Sequence, residues 1–253
     1  MPLARFYPEV VNQISVIIPA LNEEESIGFV VAEMPWHLIA ECIVVDNGSS
    51  DRTAERASAA GARVIQSPRG YGRACLAGSN AAHPDSNILV YMDGDGADEI
   101  SGLERLTAPI AADEQDFVVG SRLRGSRQPG SMLPSQIFAG RFVGLLLRLF
   151  EGVRYTDMCA FRAIRRSSFL TLGMSEMTYG WNLEMQVLAA HHRLRILEVP
   201  VNYRNRFGGV SKVSGDFKAS FKTAARILRV LFRVALGRRT GLFARPTASK
   251  RLK

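Results

Sequence analysis

The chain has 253 residues, 47% apolar and 22% charged, which suits one globular domain with its own core and argues against a disordered or collagen-like polymer. No run of about 18 apolar residues occurs, so no membrane-spanning helix is expected, and Met1-Pro2-Leu3-Ala4-Arg5 lacks the apolar stretch of a secretory signal. The formal charge of +8 is uneven: residues 217–253 hold eleven Lys/Arg and no Asp/Glu, so the other 216 residues carry −3.

Short apolar runs alternate with helical patterns. Ile14–Ile18 is rich in β-branched residues and stops at Pro19, as a buried strand does. Asn22 is expected to cap a helix whose first turn holds Glu23, Glu24 and Glu25. Cys42–Val45 is predicted as the second strand, followed by the turn Asn47-Gly48-Ser49-Ser50 and a helix from Asp51 to Ala60 that stops at Gly61. Arg63–Gln66 is the third strand, Gly70–Ala82 a glycine-containing loop opening into a helix, Ile88–Met92 the fourth strand and Phe117–Gly120 the fifth. This order predicts an α/β fold, a mostly parallel sheet with helices on both faces and ligands at the C-terminal strand ends. Arg122–Pro134, rich in Arg, Gly, Ser and Pro, reads as a mobile loop. Gln136–Phe150 and Tyr179–His192 read as helices, Leu194–Tyr203 as a strand, Arg206–Lys212 as a polar flexible stretch and Phe217–Leu236 as a long helix. No internal repeat and no sharp domain boundary is visible.

Pro19, Asp46 and Asp93 all fall at predicted strand ends. Asp93-Gly94-Asp95 directly follows an apolar strand, and two carboxylates so placed can offer oxygen ligands to Mg2+ or Mn2+. Alone, the triplet is weak evidence, since Asp-Gly-Asp more often marks a plain turn. Asp46 could accept hydrogen bonds from a base or ribose, while Asp51 serves as an N-cap. Arg69-Gly70-Tyr71-Gly72-Arg73 could let backbone approach a diphosphate, although it has no P-loop ending. Cys42, Cys75 and Cys159 are far apart and read as thiols in a reducing compartment, and the four histidines form no zinc pattern.

Three blocks in this order, Ile17-Ile18-Pro19-Ala20-Leu21-Asn22-Glu23-Glu24, Val45-Asp46-Asn47-Gly48-Ser49-Ser50-Asp51 and Asp93-Gly94-Asp95, resemble the family-2 glycosyltransferases of GT-A fold. Gly120-Ser121-Arg122, Asp157–Arg162 and Arg206 with Gly209-Val210-Ser211-Lys212 are similar to the branch of dolichol-phosphate mannose and polyprenyl-phosphate hexose synthases. The similarity spans about residues 14–215. It implies that Pro19, Ala20, Glu23 and Asp46 line a nucleoside pocket and that Asp93 and Asp95 hold the metal and, through it, the donor diphosphate. Arg206 and Lys212 would close over phosphates, and Arg122 would face the acceptor. Glu184, at a helix start, is either a general base, as in hydroxyl-acceptor relatives, or a cap that orients its helix. Two departures stand out: Ala97 occupies the place where relatives often carry a metal-contacting Gln, and Cys159-Ala160 replaces Ser-Gly before Phe161-Arg162.

Lys218, Lys222, Arg226, Arg229 and Arg233 form one stripe on the last expected helix, suited to an anionic membrane surface or to a solvated face of a packed helix. The apolar surface of Gln136–Phe150 offers a second membrane contact or a core face. The resulting expectation is a GT-A domain over residues 1–215, a basic amphipathic helix over 216–236 and a disordered basic tail over 237–253. Its activity would be inverting transfer of a hexose from a UDP or GDP donor to a polyprenyl or dolichyl phosphate. The place would be cytoplasmic, peripheral on the inner face of the membrane. The alternatives are another acceptor (a sugar hydroxyl, a glycerolipid or a small phosphorylated acid) and, in a different class, a non-catalytic membrane or nucleic-acid binder using the basic tail. The near-neutral body disfavours nucleic acid, and no nucleic-acid partner is expected.

Overall fold

The computed structural model describes residues 14–208. Lys212, the expected helix 216–236 and the tail 237–253 lie outside the described residues. The strands are β1 (Ile14–Ala20), β2 (Glu41–Asp46), β3 (Arg63–Gln66), β4 (Ile88–Tyr91), β5 (Phe117–Ser121), β6 (Arg162–Arg165) and β7 (Ile196–Pro200). The helices are α1 (Ile27–Ala32), α2 (Thr53–Ala59), α3 (Tyr71–Ala81), α4 (Leu103–Ala111), α5 (Pro134–Glu151), α6 (Arg166–Leu172) and α7 (Trp181–His191). One sheet runs β3-β2-β1-β4-β6-β5-β7. Its pairs are parallel except for β6, which runs antiparallel to both β4 and β5.

All seven residues of β1 are buried, because helices cover both faces of the sheet. Val16 and Ile18 pack with Val30 and Val31 of α1, Ala57 of α2 and Leu106 and Ile110 of α4. Ile17 points the other way, into a cluster with Ala74 of α3, Val143 and Leu147 of α5 and Trp181 of α7. Burial of each such side chain contributes about 1.5–3 kcal/mol. The register brings Ala20 of β1 beside Asp46 of β2, and Asp46 beside Gln66 of β3. Ile17 pairs with Tyr91, so the end of β4 opens onto the same edge.

Three expectations are corrected. Asn22 does not cap α1; it sits at φ 50°, and the helix begins only at Ile27 after Ser26, with no acidic residue in its first turn. The cause is a competing set of partners. The Asn22, Glu23 and Glu24 amides donate to Ser49 Oγ, Thr53 Oγ1 and Asp51 Oδ2, and Asn22 Oδ1 accepts from the Ser50 amide. Asp51 is not itself the N-cap of α2, since Arg52 precedes Thr53, but its carboxylate accepts from the Thr53 amide at 3.0 Å. In the glycine loop before α3 the close backbone approach is to the 176–177 segment: the Gly70 amide donates to Asn47 Oδ1, the Arg73 amide to the Met177 carbonyl, and a Cβ at Gly72 would strike the Glu176 carbonyl.

Helix α5 packs on a narrow face. Val143, Leu147 and two glycines are its buried residues, and a Cβ at Gly144 would strike the Tyr155 carbonyl. The opposite face leaves Phe138, Phe142, Leu145 and Leu149 exposed, with the Phe138 and Phe142 rings stacked at 6.3 Å. The apolar width of this helix is therefore a surface feature and not a core one. Among the described residues, no helix is long and apolar enough to cross a membrane.

Candidate active site

The strand ends open into a cavity of about 350 Å³. Pro19 and Ala20 at the end of β1 and Leu21 and Glu23 beyond it form its wall, with Asn47 after β2 and Asp93-Gly94-Asp95 after β4. Tyr71 of α3, Arg122, Asp157, Tyr203 and Arg206 complete the polar part. The far side is made by Gln136 and Ala139 of α5, Met158, and the Tyr179–Leu183 stretch that opens α7. Of the residues singled out in the sequence, Pro19, Ala20, Glu23, Asp93, Asp95, Arg122 and Arg206 thus meet in one place.

Asp93 Oδ1 accepts a hydrogen bond from the Tyr71 hydroxyl at 3.1 Å, and the Asp93 amide faces Asp98 Oδ2 at 3.4 Å. Asp95 Oδ1 caps the Ala97 amide at 3.0 Å, while Oδ2 accepts from Arg206 Nη2 at 2.7 Å. Glu23 stands 3.9 Å from the same guanidinium. Burial pushes the Asp93 carboxyl up to about 6, with the Asp95 charge adding to the rise. Asp98 is 3% exposed, and burial, then Asp93 and Asp95, push its carboxyl up to about 8.

Arg206 arrives on a strap, residues 201–208, that threads between two loops. Toward the acidic loop, the Arg204 amide donates to the Ala97 carbonyl and the Phe207 amide to the Asp95 carbonyl. Toward the 122–134 loop, the Tyr203 amide donates to the Ser126 carbonyl and the Asn205 amide to Gln128 Oε1. That loop, expected to be mobile, is therefore pinned along its middle. Its other anchor is Arg122, whose Nε and Nη2 each donate to a different Asp157 oxygen at 2.7 Å, with the guanidinium 4.9 Å from the centre of the Tyr203 ring. Burial works to raise the Asp157 carboxyl, but the hydrogen bonds and charge of Arg122 win and hold it below the usual range.

Two predicted residues sit beside the cavity and not on its wall. Asp46 is buried, and its oxygens accept from the Ser49 amide and from Gln66 Nε2, so it shapes the turn from which Asn47 reaches the cavity. Glu184 is 2% exposed and accepts from the Ser175 amide, the Ser175 hydroxyl and the Glu176 amide. These bonds tie the first turn of α7 to the 175–176 segment. The residues that sequence reasoning missed are Asn47, Tyr71, Gln136, Asp157, Tyr179, Asn182 and Tyr203 as wall residues, and Arg162 behind them. Arg162 is fully buried and donates to the Cys159 and Asn182 carbonyls, tying the β6 entry to the start of α7. Asp157 and Arg162 lay inside a block noted for its family likeness, but nothing in their spacing assigns them a partner.

Among the described residues, no group of three His, Cys, Asp or Glu side chains converges as a self-sufficient metal cage. The wall nevertheless suits a hard divalent cation. Glu23, Asp93, Asp95 and Asp157 outnumber Arg122 and Arg206 by two charges, and Asp93 and Asp95 offer carboxylate oxygens. Mg2+-type ions bind through one or two such carboxylates and complete their shell with water and substrate phosphate.

The sequence profile of Glycosyl transferase family 2 matches residues 15–173, which contain both Asp93-Gly94-Asp95 and the Asp157 block. The chain belongs to glycosyltransferase family 2. An uncharacterized glycosyltransferase of Mycobacterium tuberculosis is 36% identical over 213 residues, covering 83% of this chain and 93% of the relative. A dolichyl-phosphate hexose transferase of Haloferax volcanii is 33% identical over 202 residues, covering 78% and 85%. Among solved structures, glucosyl-3-phosphoglycerate synthase of M. tuberculosis, in complex with Mn2+ and UDP-glucose, is 26% identical with a TM-score of 0.65, covering 87% of this chain and 79% of that one. As a family-2 glycosyltransferase, the protein is an enzyme with a GT-A-type α/β fold, and the cavity at its strand ends is the candidate place of transfer.

Proposed function

We propose that the protein moves a hexose from a nucleoside-diphosphate donor, UDP- or GDP-linked, to a polyprenyl or dolichyl phosphate with inversion at the anomeric carbon. The wall formed by Pro19, Ala20, Leu21 and Asn47 would take the nucleoside, with Asp46 holding the turn that presents Asn47. Asp93 and Asp95 would hold Mg2+ or Mn2+, whose bound charge neutralises the leaving diphosphate. The Tyr71 hydroxyl, donating to Asp93, fixes one of these carboxylates. Arg206 has one nitrogen on Asp95 and a second, Nη1, with no hydrogen-bond partner among the described residues, a donor available to phosphate oxygen. Lys212 is proposed as a second phosphate cation.

The observation that carries the acceptor class is the state of two acids outside the Asp93–Asp95 pair, Asp157 on the cavity wall and Glu184 behind it. Asp157 is committed to Arg122 through both oxygens, and Glu184 to three donors. A hydroxyl acceptor needs a base, whereas a phosphate arrives already ionised. Arg122 would then help to frame the acceptor from within its ion pair. The apolar face of α5 begins beside cavity residues Gln136 and Ala139, and its exposed cations Arg141 and Arg148 suit an anionic bilayer, so a lipid tail would leave the site along this helix. The dolichyl-phosphate relative supports this reading. The glucosyl-3-phosphoglycerate synthase likeness favours a second one, a small phosphorylated acid as acceptor. Radiolabelled UDP-glucose, UDP-galactose and GDP-mannose offered with polyprenyl phosphate, phosphoglycerate, diacylglycerol and simple sugars would decide. Label entering the organic phase only with polyprenyl phosphate is expected; label entering phosphoglycerate instead overturns the lipid acceptor.

A further inference from the structure

Arg206 is held on the cavity by something outside the cavity. The next residue, Phe207, lays its ring over Gly96, at φ 76°, where a Cβ would collide with the ring. The Phe29 ring on α1 meets it at 5.9 Å between centroids, and the Arg204 guanidinium stacks on it at 4.2 Å. Arg204 also donates from Nε to the Gly96 carbonyl at 2.7 Å and from Nη2 to Glu33 at 2.6 Å. Phe29 and Glu33, the C-cap of α1, lie one turn apart, so the strap is buttoned to the same helix face twice.

We propose that Phe207, clasped by Phe29, Arg204 and Gly96, is a positioning residue that fixes the Arg206 guanidinium toward the donor diphosphate; this rests on the donor reading above. Phe29 is 62% exposed and Phe207 46% exposed, so these rings add little to the core. What they do is pin the strap immediately after Arg206, where the Phe207 amide also donates to the Asp95 carbonyl at 3.1 Å. Without the ring, a guanidinium on a long flexible side chain loses its aim. A displacement of about 1 Å at a reacting centre is enough to cost on the order of a hundredfold in rate.

The test is a double-substitution cycle on the full chain, with Phe207→Ala, Phe207→Tyr, Phe29→Ala, Arg206→Ala and the Phe207→Ala/Arg206→Ala pair. Donor KM and kcat are measured alongside the affinity for UDP and for GDP by calorimetry in Mn2+ buffer and the thermal midpoint. Phe207→Ala is expected to lower kcat/KM and weaken nucleotide binding by about tenfold or more with a near-unchanged midpoint. Phe29→Ala should follow more weakly, and Phe207→Tyr should restore both. The double variant should be no worse than Arg206→Ala alone, because the clasp acts through that arginine. Fully additive losses, or a Phe207→Ala variant as good as the unaltered chain, would overturn the proposal. An unaltered chain that neither binds a nucleotide nor transfers sugar would instead overturn the donor reading and the clasp with it.

Discussion

At the scale of single residues, the charged side chains of the cavity differ in what they are free to do. Asp93 and Asp95 face the cavity, and replacement of Asp95 by Ala is expected to cut transfer at least about a hundredfold while the circular-dichroism spectrum stays unchanged. Persistence of full activity in chelator would remove the metal assignment for both. Glu184 is spent on Ser175 and Glu176, so Glu184→Gln should cost stability, about 1–3 kcal/mol, and leave the pH profile of kcat where it was. Loss of an acidic limb from that profile would restore it as a base. Asp157 has its pKa held down in the folded state, so its pairing with Arg122 stabilises the fold above the usual carboxylate range and is lost as pH falls through the lowered value. Asp157→Asn, which leaves Arg122 buried without its partner charge, is expected to cost about 3–5 kcal/mol at neutral pH. Urea titrations should show that gap narrowing in acid. That Asp93 and Asp95 share the cavity was legible because their motif follows a strand end, where such sheets bind ligands. The Arg122 partner of Asp157 was not, because a partner supplied from a distant loop has no signature in local spacing.

At the scale of elements, the fully buried strands and the helices between them could be read from apolar runs and turn residues; β3 was placed to the residue. The misses have separate causes. β6 hides its apolar pattern behind Arg162 and Arg165, and the first of these is an internal strut. α4 carries Pro109 near its end, and α6 is short. The start of α1 moved to Ile27 because Asn22–Glu24 found partners across a loop and not in a helical turn. α5 is the element whose two faces sequence periodicity could not assign. Gly144→Ala should destabilise by about 1–3 kcal/mol, since the new methyl meets the Tyr155 carbonyl. Phe142→Glu and Leu149→Glu, on the exposed face, should change stability by no more than about 0.5 kcal/mol. If α5 meets lipid, the same two changes should abolish sedimentation with anionic vesicles; unchanged sedimentation would separate this helix from the membrane.

At the scale of the whole molecule, the acids gathered at the strand ends set how the fold responds to pH and to cations. Asp93 and Asp98 bind protons more tightly folded than unfolded, because burial and mutual repulsion oppose their charge. In chelator, their contribution should therefore rise as pH falls through about 8 and about 6 toward the ordinary carboxylate value, and the thermal midpoint with it. Added Mn2+, which requires the ionised acids, should raise the midpoint more at high pH than at low; the reverse order would show that it binds elsewhere. The sequence by itself determined the α/β order, the strand ends that carry Pro19, Asp46 and Asp93, and the family, because these depend on local periodicity and on motifs in a fixed order. Only the tertiary structure decided which acids stay available. It put Arg122 on Asp157, turned Glu184 away from the cavity, and brought Arg206 onto Asp95 across 111 positions of chain. Such pairings are settled by which loops the sheet brings together, and by the cost of leaving a buried charge alone, neither of which is written in the spacing of residues along the chain.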